Sequence, residues 1–154
     1  MFAELVEKNL VDFYECAEDW KEAIKLSCHK LMEEQYCTEE YVEQIISCVE
    51  QLGPYIVLVP GMAMPHSTMN AKGVIKNGIA FTQFEKPVVF DGFEGYERRE
   101  AKSFFTLCAS NPDEHMENMR KLFTILSDES ILNKVFEAST PEDLLEIDKG
   151  IVTE

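Results

Sequence analysis

Seven consecutive residues, Ser103-Phe104-Phe105-Thr106-Leu107-Cys108-Ala109, carry no charge and few polar atoms. Aromatic and β-branched side chains at the centre of this run favour extended backbone. A strand of such composition cannot turn either face to water, so it must be covered on both sides. Tyr55-Ile56-Val57-Leu58-Val59 reads the same way, as one continuous strand buried on both faces. Gly78-Ile79-Ala80-Phe81-Thr82-Gln83 and Pro87-Val88-Val89-Phe90 read as two more strands, and Leu10-Val11-Asp12-Phe13 as another near the N-terminus. A sheet of about five strands that needs cover on both faces requires helices on both faces.

Those helices are legible. Asp19 and Glu22 form a capping-box pattern, and Trp20, Ala23, Ile24, Ser27 and Leu31 follow on one helical face. Thr38 stands at the cap of the next helix, whose face is Tyr41, Val42, Ile45, Ile46, Val49 and Leu52; Gly53-Pro54 stops it. Beyond the strands, Asn111-Pro112-Asp113-Glu114 opens a helix, with Met116, Met119, Phe123 and Leu126 at core spacing. Another begins at Ser130 and runs through Ile131, Leu132, Val135 and Phe136. Thr140-Pro141-Glu142-Asp143 opens the last, with Leu144, Leu145 and Ile147. Helices, then strands, then helices predict an α/β fold, a central sheet flanked by helices on both faces. The sheet is expected to be mixed, because some connections are too short for crossovers. Asp91–Lys102, "DGFEGYERREAK", reads as a solvated loop. With 154 residues, no repeat and no linker, the chain reads as one domain over residues 1–154.

A net charge of −15 argues against binding nucleic acid through its phosphates, and against an anionic membrane surface. It favours a partner with a neutral or basic contact face. No apolar run approaches the ~20 residues of a membrane span. The N-terminus, with Glu4 and Glu7 and no cationic region, does not read as a signal peptide. Five cysteines without a CxxC read as reduced thiols in a cytosol. Cys28 beside His29 lacks metal-ligand spacing and reads as part of a helix face; no metal site is expected.

Only three histidines occur: His29, His66 and His115. His29 sits mid-helix beside Lys30, an expected solvent position. His66 ends "PGMAMPHS", where Pro65 has no N–H to pair and Pro60, Gly61 and Pro65 define a rigid loop. A histidine just past a strand end sits where α/β sheets place their sites; the alternative is a surface loop histidine. His115 falls in the first turns of its helix, in register with Met119, Leu122 and Leu126. A helix start offers N–H groups to phosphate; the alternative is a half-buried histidine satisfied by a backbone carbonyl. Together the two histidines suggest phosphoryl handling, one imidazole as nucleophile and the other, with helix N–H groups, holding the oxygens. No Walker loop, kinase motif or acidic metal cluster accompanies them, so the donor cannot be a bound nucleotide. A competing class is a cysteine enzyme built on Cys108 and His115, disfavoured by the apolar strand around Cys108.

The segment "GPYIVLVPGMAMPHS" resembles the active-site segment of the EIIA components of the sugar phosphotransferase system, in the mannitol/fructose superfamily. "EDWKEAI", "DEHMENMRKLFTILSD" and "TPEDLLEI" resemble other segments of that family, in the same order and over nearly the whole chain. The likeness is greatest to the ascorbate-type branch. The resemblance implies a cytoplasmic phosphocarrier with a mixed sheet flanked by helices. It implies that His66 takes a phosphoryl group from phospho-HPr and passes it to a cysteine of an EIIB component, with His115 supporting the group. It implies no cofactor and no metal, and HPr and EIIB as partners; a homodimer stays open. The alternative is a regulatory EIIA-like module that signals its phosphorylation state to a protein partner. Two departures stand out. The ascorbate branch often continues after its histidine with a small residue and Arg-Pro, where this chain has Ser67-Thr68-Met69. The mannitol branch commonly has an arginine upstream, where Cys48-Val49-Glu50-Gln51 offers none. Ser67 and Thr68 are the candidate phosphate-binding hydroxyls in its place.

Overall fold

The computed structural model describes residues 1–67 and 72–152; Thr68 and Met69 lie outside the described residues. In chain order the elements are α1 (Phe2–Glu7), β1 (Val11–Tyr14), α2 (Trp20–Glu33), α3 (Glu39–Leu52), β2 (Val57–Val59) and β3 (Gly61–Ala63). There follow β4 (Gly78–Phe90), β5 (Arg99–Cys108), α4 (Pro112–Leu126), α5 (Glu129–Glu137) and α6 (Pro141–Val152). The five strands form one sheet in the order β1-β4-β5-β3-β2. β1 runs parallel to β4 and β3 parallel to β5, while β4–β5 and β2–β3 pair antiparallel, so the sheet is mixed as expected.

Both faces are covered. Alternation along the strands sends Phe84 and Phe104 to one side, where their ring centroids lie 5.1 Å apart and Phe90 links Phe104 to Trp20 of α2. Phe81 and Phe105 go to the other side, where Phe2 of α1 packs on both. α1 has no counterpart in the helices read from the sequence. Its short apolar pair, Phe2 and Leu5, is buried in the main core.

The strand count agrees with expectation, but two boundaries do not. Residues 78–83 and 87–90 are halves of one strand, β4. Its pairing with β5 jumps from Gln83–Ser103 to Val88–Ala101, and the extra residues form an exposed bulge at Glu85-Lys86-Pro87. Pro87 explains the interruption, since it has no N–H for the ladder. Residues 55–59 are not one strand. Tyr55 and Ile56 belong to a turn closed by Val57 N–H donating to the Pro54 carbonyl, and the strand itself is only Val57–Val59. β2 is an edge strand, so Leu58 is 50% exposed rather than covered on both faces. Pro60-Gly61 then reverses the chain into β3, which the apolar stretch after Pro60 had concealed. Gly61 has φ +91°, and an added Cβ would lie 3.0 Å from the Phe136 ring of α5.

Two further expectations are corrected. The charged segment 91–102 is not all loop: Arg99–Lys102 begin β5, and the Arg99 guanidinium donates to the carbonyls of Pro54 and Val57. On α4 the buried face is Asn118, Leu122 and Ile125, whereas Met116 and Phe123 are 59% and 66% exposed. The stripe read through His115 and Leu122 is therefore the inward one.

The caps behave largely as read. Asp19 accepts from Glu22 N–H and Asn111 from Glu114 N–H, while Thr38 occupies its cap position without a side-chain hydrogen bond. One buried contact ties the helical layer to the sheet. The Gln83 amide nitrogen lies 2.9–3.0 Å from the carbonyls of Val135, Phe136 and Ala138 at the end of α5, and Ser103 Oγ donates to Gln83 Oε1 at 2.5 Å. Gln83→Leu would strand those carbonyls and the Ser103 hydroxyl. It is expected to cost about 2 kcal/mol, seen as a lower urea midpoint at unchanged slope. A midpoint equal to that of the parent would show that the carbonyls find other partners.

Candidate active site

β3 carries the chain toward the end of β5, and the segment Met64–Ser67 leaves the sheet beside Leu107 and Cys108. Met64 N–H still pairs with the Ile56 carbonyl at 2.8 Å, and Leu107 N–H donates to the Pro65 carbonyl at 2.9 Å. Pro65 therefore keeps its acceptor in the sheet while having no donor to place, and regular pairing stops there. His66 is the first side chain beyond the ladder.

Its ring is held on three sides. The Met64 carbonyl lies 2.6 Å from Nδ1. A carbonyl can only accept, so Nδ1 carries the proton and the neutral ring keeps its lone pair on Nε2. The Tyr55 ring meets the imidazole edge to face at 5.2 Å between centroids and 89° between planes. The His115 ring lies 5.3 Å away, tilted by 36°. The two histidines, 49 positions apart in the chain, thus share one site. Among the described residues no lysine or arginine makes a hydrogen bond, ion pair or ring contact with either imidazole. Burial holds the His66 pKa below the ordinary histidine value; the Met64 carbonyl works against that, and the nearby His115 adds to it.

The N-terminus of α4 differs from expectation. Pro112 has no N–H, Glu114 gives its N–H to Asn111 Oδ1, and His115 gives its own to the Asn111 carbonyl. The Glu114 carboxylate reaches back to Ser110 N–H at 3.0 Å and to its hydroxyl at 2.5 Å, bonds that lower its pKa. The helix start is largely satisfied from within and carries negative charge. α4 therefore contributes an imidazole to the site more than a row of N–H groups.

Ser67 places Oγ 3.8 Å from the buried Cys48 Sγ. Thr68 lies outside the described residues. His29 is exposed and pairs with Glu33 on the surface of α2, remote in role from the other two histidines. Cys108 is fully buried; its contact with Cys37, together with burial, pushes its thiol pKa well up, so it stays protonated. That removes the thiolate a Cys108–His115 enzyme would need. Among the described residues no group of three or more His, Cys, Asp or Glu side chains could hold a metal ion. No helix there is long and apolar enough to cross a membrane.

Three groups at the site were missed by reading residue types alone. The Met64 carbonyl is backbone. Tyr41 and Tyr55 read as core-face and strand residues, yet their hydroxyls reach the loop: Tyr55 donates to the His66 carbonyl, and Tyr41 accepts from Ser67 N–H. A buried tyrosine needs a hydroxyl partner, and that requirement was the available signal.

Two imidazoles thus meet at one end of a mixed sheet flanked by helices. The model of the family "Phosphoenolpyruvate-dependent sugar phosphotransferase system, EIIA 2" matches residues 4–149, and the chain belongs to that family. The mannitol-specific cryptic phosphotransferase enzyme IIA component of Escherichia coli K12 is 34% identical over 131 residues, 85% of this chain and 86% of that protein. The ascorbate-specific EIIA component of Shigella boydii is 28% identical over 144 residues, 93% and 91% of the two chains. The solution structure of the E. coli cryptic mannitol IIA superposes with a TM-score of 0.81 at 30% identity, covering 95% of this chain and 96% of that one. The IIA chain in the complex of E. coli mannitol IIA with phosphorylated mannitol IIB gives 0.75 at 26% identity, covering 92% and 94%.

Because the His66 pKa is lowered, its ring stays neutral to lower pH than an ordinary imidazole. In an NMR titration His66 should show a midpoint below the usual ~6.5, and His115→Ala should raise it by removing a like charge. A midpoint at or above that value would contradict the burial described. Iodoacetamide should leave Cys108 unlabelled in the native protein while labelling the exposed Cys16; rapid labelling of Cys108 would revive the cysteine-enzyme class.

Proposed function

We propose that this chain is a cytoplasmic phosphocarrier that takes a phosphoryl group from phospho-HPr onto His66 and passes it to a cysteine of an EIIB component. The observation that carries this reading is the hydrogen bond from His66 Nδ1 to the Met64 carbonyl, which leaves Nε2 as the nucleophile. Nε2 attacks phosphorus, its lone pair forming the new N–P bond. The donor's N–P bond breaks, and that electron pair returns to the donor imidazole. The ring of His66 becomes cationic on phosphorylation, and the Met64 carbonyl takes up that charge through the Nδ1 proton. His115, 5.3 Å away ring to ring, donates an N–H to a phosphoryl oxygen. Ser67 adds a hydroxyl from the next position, and Thr68 is the second such candidate. In the second transfer an EIIB thiolate attacks phosphorus and Nε2 recovers its lone pair. The reported complex of a mannitol IIA with phosphorylated IIB supports this second partner. No nucleotide, metal or organic cofactor takes part in this scheme.

The system served is proposed to be ascorbate-type. The ascorbate-specific relative aligns over 93% of the chain, while the cryptic mannitol relative has the higher identity. An EIIA does not handle the sugar, so its EIIB is the discriminating partner.

Incubation with phosphoenolpyruvate, Enzyme I and HPr should add one acid-labile phosphate, absent from His66→Ala. His115→Ala should still accept it, about a hundredfold more slowly, and Ser67→Ala should slow transfer to a smaller degree. The phosphorylated chain should discharge onto an ascorbate-type EIIB faster than onto a mannitol-type one. The reverse preference would reassign the substrate. Phosphorylation without discharge onto any EIIB, coupled to phosphate-dependent binding of another protein, would favour the regulatory module.

A further inference from the structure

The peptide unit joining His66 to Ser67 is gripped at both of its polar groups by tyrosine hydroxyls. Tyr55 OH donates to its carbonyl, and its N–H donates to Tyr41 OH at 3.4 Å. Tyr41 in turn gives its proton to the Leu107 carbonyl at 2.5 Å, and Leu107 N–H donates to the Pro65 carbonyl at 2.9 Å. The chain of contacts leaves the loop at Ser67, crosses α3 and β5, and re-enters the loop at Pro65, with His66 enclosed between. We propose that Tyr41 and Tyr55 are positioning residues for phosphoryl transfer, a clamp on the 66–67 peptide that aims His66 Nε2 at the incoming phosphorus. This rests on His66 being the acceptor.

The imidazole hangs from the Cα atom that this peptide unit leaves. Rotation of the unit swings the ring away from His115 and off the line of attack. A misplacement of about 1 Å can cost roughly a hundredfold in rate, so two hydroxyls on one peptide plane have leverage over transfer without touching phosphate. Tyr41 is almost wholly buried, and its hydroxyl spans α3, β5 and the loop, while the Tyr55 hydroxyl also meets the Cys48 thiol. Burial pushes both tyrosine pKa values up, so both hydroxyls keep their protons wherever His66 titrates. The clamp is therefore constant across the pH range in which the acceptor changes charge. Tyr55 also packs its ring on the imidazole, and Tyr55→Phe retains that packing while removing the grip.

The test uses Tyr41→Phe, Tyr55→Phe and the double variant, each in the full chain with its unfolding midpoint measured. In transfer from phospho-HPr, each single variant should lose about tenfold or more in kcat with KM unchanged. The double variant should lose little more than the worse single, because both hydroxyls hold one peptide. In the unphosphorylated protein, Ser67 amide exchange should rise in Tyr41→Phe, and the His66 ring resonances should shift in both. Folded variants with parental kcat, losses confined to KM, or unchanged Ser67 exchange and His66 resonances would each overturn the clamp. If Tyr41→Phe fails to fold, the half-buried Tyr55→Phe decides the kcat and resonance arms. If the parent accepts no phosphate, the carrier reading falls by itself, and exchange and ring resonances still decide whether the hydroxyls hold His66.

Discussion

A single hydrogen bond, from His66 Nδ1 to the Met64 carbonyl, decides which ring nitrogen has a lone pair. The rest of the architecture keeps that carbonyl and that ring still. Met64 is fully buried and its N–H is paired to Ile56. Pro65 gives its carbonyl to Leu107, so β5 sets the height at which the loop leaves the sheet. β5 is pinned by nine residue pairs to β4, and β4 carries the aromatic layers of both faces. Rigidity at His66 is thus inherited from the middle of the core.

The mixed character of the sheet follows from the same demand. A hairpin at Pro60-Gly61 sends β3 back between β2 and β5, parallel to β5, so His66 emerges at the end of the sheet where α4 begins. Three residues separate the end of β5 from the start of α4, which carries His115 on its inward stripe. Two histidines far apart in sequence meet because two neighbouring strands finish together. The Gln83 amide, holding the end of α5, keeps Phe136 over Gly61 at the turn that begins this path.

Much of this was legible in the residues. The uncharged, largely apolar run 103–108 demanded a buried central strand, and β5 contains it. Asn111-Pro112 marked the start of α4, and Pro65 marked the end of pairing before His66. The misread places share a cause: composition records burial but not direction. Tyr55 to Val59 is apolar throughout, yet its first residues turn and its strand lies at an edge. Glu85-Lys86-Pro87 looked like a break between strands and is a bulge within one. Met116 and Phe123 are apolar but face outward, because the Asn118–Leu122 side of α4 is the one that meets the sheet. At the site, the two histidines could be found by type, whereas the tautomer and the two tyrosine grips depend on backbone groups that no residue type announces.

The most direct test of this account is the site of phosphorus attachment on the imidazole. Nitrogen–phosphorus coupling in the 15N-labelled, phosphorylated protein distinguishes the two ring nitrogens. With Nδ1–H committed to the Met64 carbonyl, the phosphoryl group should be on Nε2 of His66 with Nδ1 still protonated. Phosphorus on Nδ1, or on His115, would contradict the central claim.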